Sequence, residues 1–448
     1  MKHISKTTAA LLAPMSLFTL MTTACSQDDS NTNNTGNCAF VSSDCTDEPN
    51  NAPNNDDNNA PNNDTPPCED VETVTLSPIR HRGGSFAAAF SPDALVVGYI
   101  NPRGNPQLDF TPTGDDAQER SVELDAFSSR FDFSDPQGIS LAVNDDTVGM
   151  AWGGARTYTI GDFEDDLGAA FFATVSPQRN SSVKMASNDF ARTAEGNDRV
   201  FARFPSTIAT ADGFAVFWQD LREQEPDIFA DGIGTRNGAY TRRFDTAGNP
   251  LSPEDTQVLQ DGLPIGVVAG ALDNGTITVW STRDGDNTDQ RTVHVLTSDD
   301  FGQSEPPAPF FTAPEGLGGI QLAVGHDNNV LLTILDEAQG HGTIMLNDSG
   351  TPLGEFTPLD ARLEVASLIA KPEGGYILAG FENDETNTLH ILQLDADGAV
   401  EQRSEHRMEA GRMALGLRDG RLWVTTRAVN FDDLLPQTTV RFQGVCLN

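Results

Sequence analysis

The apolar positions of this chain come in short bursts. A run of Val, Ile, Leu, Phe or Ala is broken by Asp, Asn or Gly and then resumes. "STIATADGFAVFWQD" (Ser206–Asp220) has an apolar run, a tight turn and a second apolar run ending in an aromatic. The same shape recurs in "AAAFSPDALVVGYI" (Ala87–Ile100), "SLAVNDDTVGMAWGG" (Ser140–Gly154) and "AGALDNGTITVWST" (Ala269–Thr282). It returns in "QLAVGHDNNVLLTILD" (Gln321–Asp336), "SLIAKPEGGYILAGFE" (Ser367–Glu382) and "ALGLRDGRLWVTTR" (Ala414–Arg427). The turns contain Asp93, Asp145, Asp212, Asn274, Asp327, Gly374 and Asp419, so successive copies lie 45 to 67 residues apart.

Each copy reads as a β-hairpin. Asp-Gly, Asn-Gly and Gly-Gly supply the positive φ angles that hairpin turns demand, and the flanking residues suit strands buried on both faces. A second hairpin follows in most copies, as in "RRFDTAGNPL" (Arg242–Leu251), "IMLNDSGTPL" (Ile344–Leu353) and "LQLDADGAV" (Leu392–Val400). Two hairpins per repeat at this spacing predict an all-β chain folded as a β-propeller. Seven four-stranded blades are expected, with six or eight as alternatives. Trp152, Trp218 and Trp280 fall in second strands, with Tyr99 in the same register. Trp423 comes two residues earlier in its copy, which predicts the same face by the period-two alternation of strands. Phe214, Phe217 and Trp218 are therefore expected to pack between blades. A ring needs closing, and "CEDVETVTL" at its start and "TTVRFQGVC" at its end are both strand-like. Pairing them would build the last blade from both ends of the domain.

The N-terminus departs from this pattern. Lys2 and Lys6 precede an apolar stretch, Ala9–Met21, that is too short to span a bilayer and reads as part of an export signal over 1–24. Thr22, Thr23 and Ala24 lead into Cys25; this resembles the lipobox of bacterial lipoproteins, which implies acylation of Cys25. Thr22-x-Ala24 also fits an ordinary signal-peptidase site. Residues 25–67 form an Asn/Asp/Pro-rich tether without Lys or Arg. Such composition cannot bury enough apolar surface to offset chain entropy, so a disordered stalk is expected. The propeller occupies 68–448. With Cys25 acylated, Cys38, Cys45, Cys68 and Cys446 remain, an even number for an exported protein. Of the three connectivities, Cys38 with Cys45 and Cys68 with Cys446 is favoured: the first closes a local loop, the second joins the two ends of the ring. No cysteine pair has the CxxC spacing of a zinc site.

Charge narrows the partners. The chain has 66 Asp and Glu against 28 Lys and Arg, a formal charge of −38. Such a surface repels phosphate backbones, so no nucleic-acid partner is expected. Beyond the signal only Lys184 and Lys371 remain as lysines. That bias fits a saline habitat and a GC-rich genome equally.

Candidate chemistry is sparse. Asp284, Asp286 and Asp289 in "DGDNTD" offer hard-cation ligands, making Ca²⁺ the one cofactor considered, against an acidic solvated loop. The histidines form no HxH or HExxH pair, and no nucleophile elbow or phosphate loop occurs. "SDDFGQS" (Ser298–Ser304) resembles part of the sialidase Asp-box, though Glu305 stands where the aromatic should follow. "ARFPS" (Ala202–Ser206) resembles the element that supplies sialidases with a substrate-binding arginine, here Arg203, but it falls two blades late. "FWQDLR" and "VWSTRDG" resemble the W-x-D/T-x-R repeats of secreted bacterial propeller lipoproteins.

Together these features lead to the expectation of an exported lipoprotein at the outer membrane or cell surface. It would be a stalked, non-enzymatic binding or scaffold module for a protein or glycan ligand, reaching the membrane through its lipid only. The alternative is a glycan hydrolase of sialidase-like propeller type. The segments Pro177–Arg199 and Arg222–Tyr240 are the longest insertions and the expected place for function.

Overall fold

The computed structural model describes residues 70–447 apart from 82–85, 114–118, 125–137, 161–162, 178, 188–201, 222–236, 259–264, 274, 285–286, 299–308, 314–315, 338, 383–386, 419 and 431–436. The chain divides into two units, 1–64 and 65–448, the first wholly outside the described residues. The calls on the signal, Cys25, Cys38 and Cys45 therefore fall outside them, as does Cys68.

The second unit is a seven-bladed β-propeller of four-stranded antiparallel sheets. Strands β1 (Val71–Thr75) and β2 (Ile79–Arg80) come first. Blade 1 is β3 (Phe86–Phe90), β4 (Ala94–Ile100), β5 (Pro106–Pro112) and β6 (Arg120–Glu123). Blade 2 is β7 (Ile139–Asn144), β8 (Thr147–Ile160), β9 (Phe163–Val175) and β10 (Lys184–Met185). Blade 3 is β11 (Ala202–Thr210), β12 (Gly213–Leu221), β13 (Asn237–Asp245) and β14 (Thr256–Gln257). Blade 4 is β15 (Ile265–Leu272), β16 (Gly275–Asp284), β17 (Asn287–Ser298) and β18 (Pro309–Ala313). Blade 5 is β19 (Leu317–Val324), β20 (Val330–Asp336), β21 (Gly340–Leu346) and β22 (Thr357–Pro358). Blade 6 is β23 (Val365–Ala370), β24 (Tyr376–Phe381), β25 (Thr388–Leu394) and β26 (Val400–Arg407). Blade 7 takes β27 (Arg412–Arg418), β28 (Arg421–Asn430) and β29 (Gln437–Cys446) from the C-terminal end. Its outer strand is β1, which pairs with β29 through Val74↔Phe442 and Thr75↔Arg441, while β2 pairs further along at Ile79↔Thr438. The last blade is thus built from both ends of the domain. The first strands of successive blades lie side by side, and β27 meets β3 to complete the ring.

The apolar runs are explained by where they sit. Every residue of β4, β20 and β24 is buried, because a second strand is flanked by a blade on each side. There is no single core. Seven clusters occur among the described residues, one at each seam between neighbouring blades. Phe214 and Trp218 fill the seam toward blade 2, and Phe217 fills the seam toward blade 4, where it meets Trp280. The aromatic stretch that ends the first hairpin of blade 3 is therefore packing. Trp218 Nε1 donates to Asp220 Oδ2 (3.1 Å), both side chains fully buried. In blade 4 the ring of Trp280 stacks on His294 at 5.4 Å, and Thr282 Oγ1 bonds His294 Nε2 (2.8 Å). The W-x-D/T pattern is thus a device for satisfying polar groups at a seam.

One expectation is overturned. Tyr99, Trp152, Trp218 and Trp280 each face the preceding blade, but Trp423 faces the following one, packing with Phe86, Tyr99 and Phe442. The residue that faces back from β28 is Val424. The register is set by the first residue paired after the turn, which is Thr147, Gly213 or Gly275 in blades 2 to 4 and Arg421 in blade 7. Trp423 lies an odd number of residues from the position equivalent to Trp218, and period-two alternation then places it on the opposite face.

The second hairpins also follow a rule. Asp245, Asn347 and Asp395 each open a turn closed by a glycine three residues on, and each side chain accepts from the N–H of the residue after that glycine, Asn249, Thr351 or Ala399. Gly248, Gly350 and Gly398 all take positive φ and press against the preceding blade, at Ser181, Val295 and Leu331 respectively.

Candidate functional site

The alternating strand directions sort the connections into two sets. First-to-second and third-to-fourth turns lie at one end of the ring, and they are mostly tight. Second-to-third connections and the crossings between blades lie at the other end. That end carries 125–137, 188–201 and 222–236, all outside the described residues. Arg222–Tyr240 and the part of Pro177–Arg199 beyond β10 belong to this end, with one correction: Pro177–Arg199 is not one loop, because Lys184–Met185 forms β10, the outer strand of blade 2, and residues 177–183 before it are the third-to-fourth connection at the opposite end. A tight outer strand of two residues carries too little pattern to stand out from a loop. The stretch Arg222–Tyr240 likewise runs into β13 at Asn237.

The remaining sequence candidates scatter. Asp284 and Asp289 stand on β16 and β17, across the second-to-third turn of blade 4; Asp286 and both side chains are outside the described residues. Arg203 sits on β11 opposite Gln219, its side chain likewise not described. Ser298 ends β17, and the rest of the Asp-box-like stretch is outside. Three tyrosines are described in full. The Tyr240 ring stacks on Trp218 at 6.3 Å. The Tyr376 hydroxyl donates to the Asn329 carbonyl (2.9 Å), and burial raises its pKa. Burial and then Asp109 push Tyr99 up likewise, its hydroxyl donating to Asp109 Oδ2 (2.7 Å). Each is committed to a seam.

Three recesses merit comparison. The largest, about 640 Å³, lies on the outer side of the seam between blades 7 and 1. Its polar floor is already satisfied: Asp109 accepts from Tyr99, Gln107 Nε2 (2.9 Å) and Ser121 Oγ (2.6 Å). A carboxylate so occupied holds the seam and has little left for a guest. The second, about 250 Å³, opens among the first strands of blades 7, 1 and 2 and is lined by Phe86, Leu141 and Met413. Arg427 lies over the Phe86 ring (5.2 Å) and donates to the Phe86 carbonyl.

The third, about 410 Å³, is at the seam of blades 5 and 6, at the end with the long connections. β24 runs out at Phe381 and delivers Glu382; β25 brings His390 in its third position; β26 supplies Arg403 and Glu405. Asp360 comes from the crossing between blades. Arg403 Nη1 donates to the Asp360 carbonyl (2.9 Å) and lies 3.8 Å from its carboxylate. His390 is mostly buried, with 18% of its side chain exposed. Its ring lies between two carboxylates, with Nδ1 3.6 Å from Glu405 and Nε2 3.9 Å from Glu382. Both separations exceed hydrogen-bonding distance. In this recess both nitrogens of a mostly buried imidazole lie beyond hydrogen-bonding distance of the carboxylates beside them. Nothing in the sequence singled out His390, Glu382 or Glu405: they are far apart in kind from any motif and become neighbours only through strand register.

No protein-family model matches the chain, and no curated protein matches it. Solved structures are similar to it in fold. The polysaccharide lyase Uly1 aligns over 85% of this chain and 100% of its own, with a TM-score of 0.52 and 10% identity. A protein of unknown function from Dyadobacter fermentans aligns over 83% and 99%, with a TM-score of 0.49 and 10% identity. The Hadza microbial sialidase Hz136 aligns over 80% and 74%, with a TM-score of 0.46 and 12% identity. At these identities the likeness is one of fold alone, and folds of this kind carry many functions.

Proposed function

We propose that this chain is a ligand-binding module of the cell envelope, held there by an acylated Cys25 and the 25–67 stalk. Its ligand enters at the end of the propeller that carries the long connections and is held in the seam cavity of blades 5 and 6. One observation carries the reading: His390 lies in a preformed cavity with both ring nitrogens beyond hydrogen-bonding distance of the carboxylates that flank it. A mostly buried imidazole has one donor and one acceptor to satisfy, and a guest hydroxyl or amine in each gap would do so. Blades on either side hold the lining strands rigid, so little entropy is lost on binding. The glycan-hydrolase alternative would need a carboxylate pair acting on bound sugar at this end of the ring.

Three experiments test the proposal. Detergent partitioning of the full chain and its Cys25→Ala variant addresses the anchor, and equal partitioning would end the lipoprotein reading. Retention of envelope fractions on the immobilised full chain, compared with His390→Asn, addresses the cavity. Binding that the substitution leaves intact would move the site elsewhere. A screen for glycan hydrolysis runs beside it, and turnover abolished by changing one carboxylate would replace the binding module with an enzyme.

A further inference from the structure

Blades 2, 3 and 4 repeat one arrangement in their seams. An indole on the second strand lies against the ring directly across from it on the third. Trp152 stacks on Phe171 (centroids 5.9 Å apart), Trp218 on Tyr240 (6.3 Å) and Trp280 on His294 (5.4 Å), with planes 13° to 21° apart. In blade 5 both rings are missing, at the paired positions Ile334 and Gly342, and the Phe356 ring fills the space, since a Cβ on Gly342 would collide with it. Blade 6 keeps half of the arrangement. Its third-strand ring is His390, and the residue paired with it on the second strand is Gly380. Both positions face blade 5, because Leu378 and Leu392, two residues away on the same strands, belong to that seam. Glycine has no side chain to lay over the imidazole. The cavity of about 410 Å³ opens beside this ring, and Asp360 and Ala361, which the crossing from blade 5 brings to it, carry no ring either.

We propose that this cavity takes a small ligand bearing a flat aromatic ring with an N–H donor, of the indole class, and that this ring lies on the His390 imidazole as Trp280 lies on His294. The inference rests on the ligand-binding reading above and names the group of the ligand that reaches His390. Stacked rings gain from their contact beyond the area they bury, and the guest restores the pair that Gly380 leaves incomplete. Glu405 and Glu382 lie nearest the two nitrogens of His390, and the guest needs neither place: it covers a face of the imidazole from the side of Gly380. Blade 3 shows where the guest N–H goes. Trp218 Nε1 donates to Asp220, two residues further along its strand (3.1 Å). Glu382 stands two residues beyond Gly380, so a ring in the indole position has its N–H beside that carboxylate. Leu392 adds an apolar wall, and the volume falls in the range of about 300–1,000 Å³ common for small-molecule sites.

Magnetic resonance of the full chain with indole, 1-methylindole and cyclohexanol tests this, by saturation transfer to the ligand and by the histidine ring protons of the protein. Indole should receive saturation and move the ring protons of His390 upfield, the mark of a ring stacked over them; the signal is assigned by its loss in His390→Asn. 1-Methylindole keeps the ring and loses the donor, so it should bind about tenfold more weakly, the worth of one hydrogen bond to a carboxylate. Cyclohexanol cannot stack and should produce no shift. His390→Asn should weaken indole by about twofold to tenfold, the range for a ring-on-ring contact. Gly380→Trp lets the chain supply its own indole, which should exclude the guest and move the His390 signal upfield unaided; near-ultraviolet circular dichroism checks its fold. If that variant does not fold, Glu382→Leu, at a half-exposed position, must still bring indole down to the level of 1-methylindole. An unmoved His390 signal at saturating indole, equal binding of indole and cyclohexanol, or full indole binding to a folded Gly380→Trp overturns the assignment. Retention of an envelope component that His390→Asn abolishes, with no indole binding, would defeat this inference and leave the ligand-binding reading standing.

Discussion

Gly350 and Gly340 allow the cost of a blade contact to be separated from the cost of a backbone angle. Both belong to blade 5 and both have positive φ, 75° and 86°. A Cβ added at Gly340 would meet nothing within 4 Å, whereas at Gly350 it would lie 2.7 Å from Val295 Cγ1 and 3.3 Å from Thr297 Cγ2 of blade 4. Gly340→Ala should therefore incur only the left-handed backbone penalty, about 1–2 kcal/mol, less the roughly 0.4–1 kcal/mol that alanine recovers by restricting the unfolded chain. Gly350→Ala incurs the same and adds overpacking, since Val295 is nearly buried and cannot swing away. Such insertions cost about 1–3 kcal/mol. The expected difference between the two variants is thus about 1–3 kcal/mol, read from urea unfolding followed by tryptophan fluorescence. Val295→Ala removes the obstructing methyl, so the double variant Gly350→Ala/Val295→Ala should be more stable than the sum of its parts predicts. Equal destabilisation at Gly340 and Gly350, or strict additivity with Val295→Ala, would refute the claim that this turn is braced against the preceding blade.

Three further outcomes follow from the fold and the charge. His341 is buried and its pKa is lowered from 6.5 to about 4 by that burial. Between those values the unfolded chain binds a proton that the native chain does not, so stability should fall by up to about 3 kcal/mol as pH drops from 6.5 to 4, and His341→Gln should flatten that slope in unfolding curves. The backbone N–H of Cys446 donates to Asp70 (2.8 Å), two residues from Cys68 in sequence; non-reducing peptide mapping should find Cys68 joined to Cys446, and a free Cys68 thiol would refute the pairing. Melting temperature should rise from low salt to molar NaCl because screening relieves acidic self-repulsion, and a flat response would remove the electrostatic account.

The propeller was legible because its physics is local and repeated. A second strand between two blades must be apolar on both faces, so "ALVVGYI" and "VLLTILD" announce themselves without reference to distant sequence. Turn chemistry at positions such as Asp145 and Asn328, both with positive φ, divided the runs into hairpins. The complementary strands at the two ends made the closing blade readable as well. What failed was register. Counting from the turn aspartate places Trp423 on the wrong face, because Asp212 is the second of the two residues between its paired strands and Asp419 is the first, while the pairing itself starts at Gly213 and Arg421. Outer strands of two residues, such as β10 and β14, carry no period at all and pass for loop.

The site was illegible for a related reason. A motif is readable when one backbone element fixes its geometry, as a phosphate loop or a zinc knuckle does. The polar groups of the seam cavity come from three neighbouring strand segments and a blade crossing: Glu382 just beyond β24, His390 on β25, Glu405 and Arg403 on β26, and Asp360 before β23. Their sequence separations depend on turn lengths that vary freely between blades, so no spacing is preserved to recognise. The residues that did look like chemistry, Phe217, Trp218 and Asp220, were conspicuous because packing a seam demands large side chains and a satisfied indole N–H. In a ring of near-identical blades, conspicuous residues are those every blade needs for cohesion. A binding site is therefore better sought where one blade departs from the others. Blade 6 does so in the position that Asp220 and Asp336 fill in blades 3 and 5: those carboxylates are fully buried, whereas Glu382 stands half-exposed beside an imidazole. Burial makes the first two part of the fold, and exposure leaves the third free to meet a ligand.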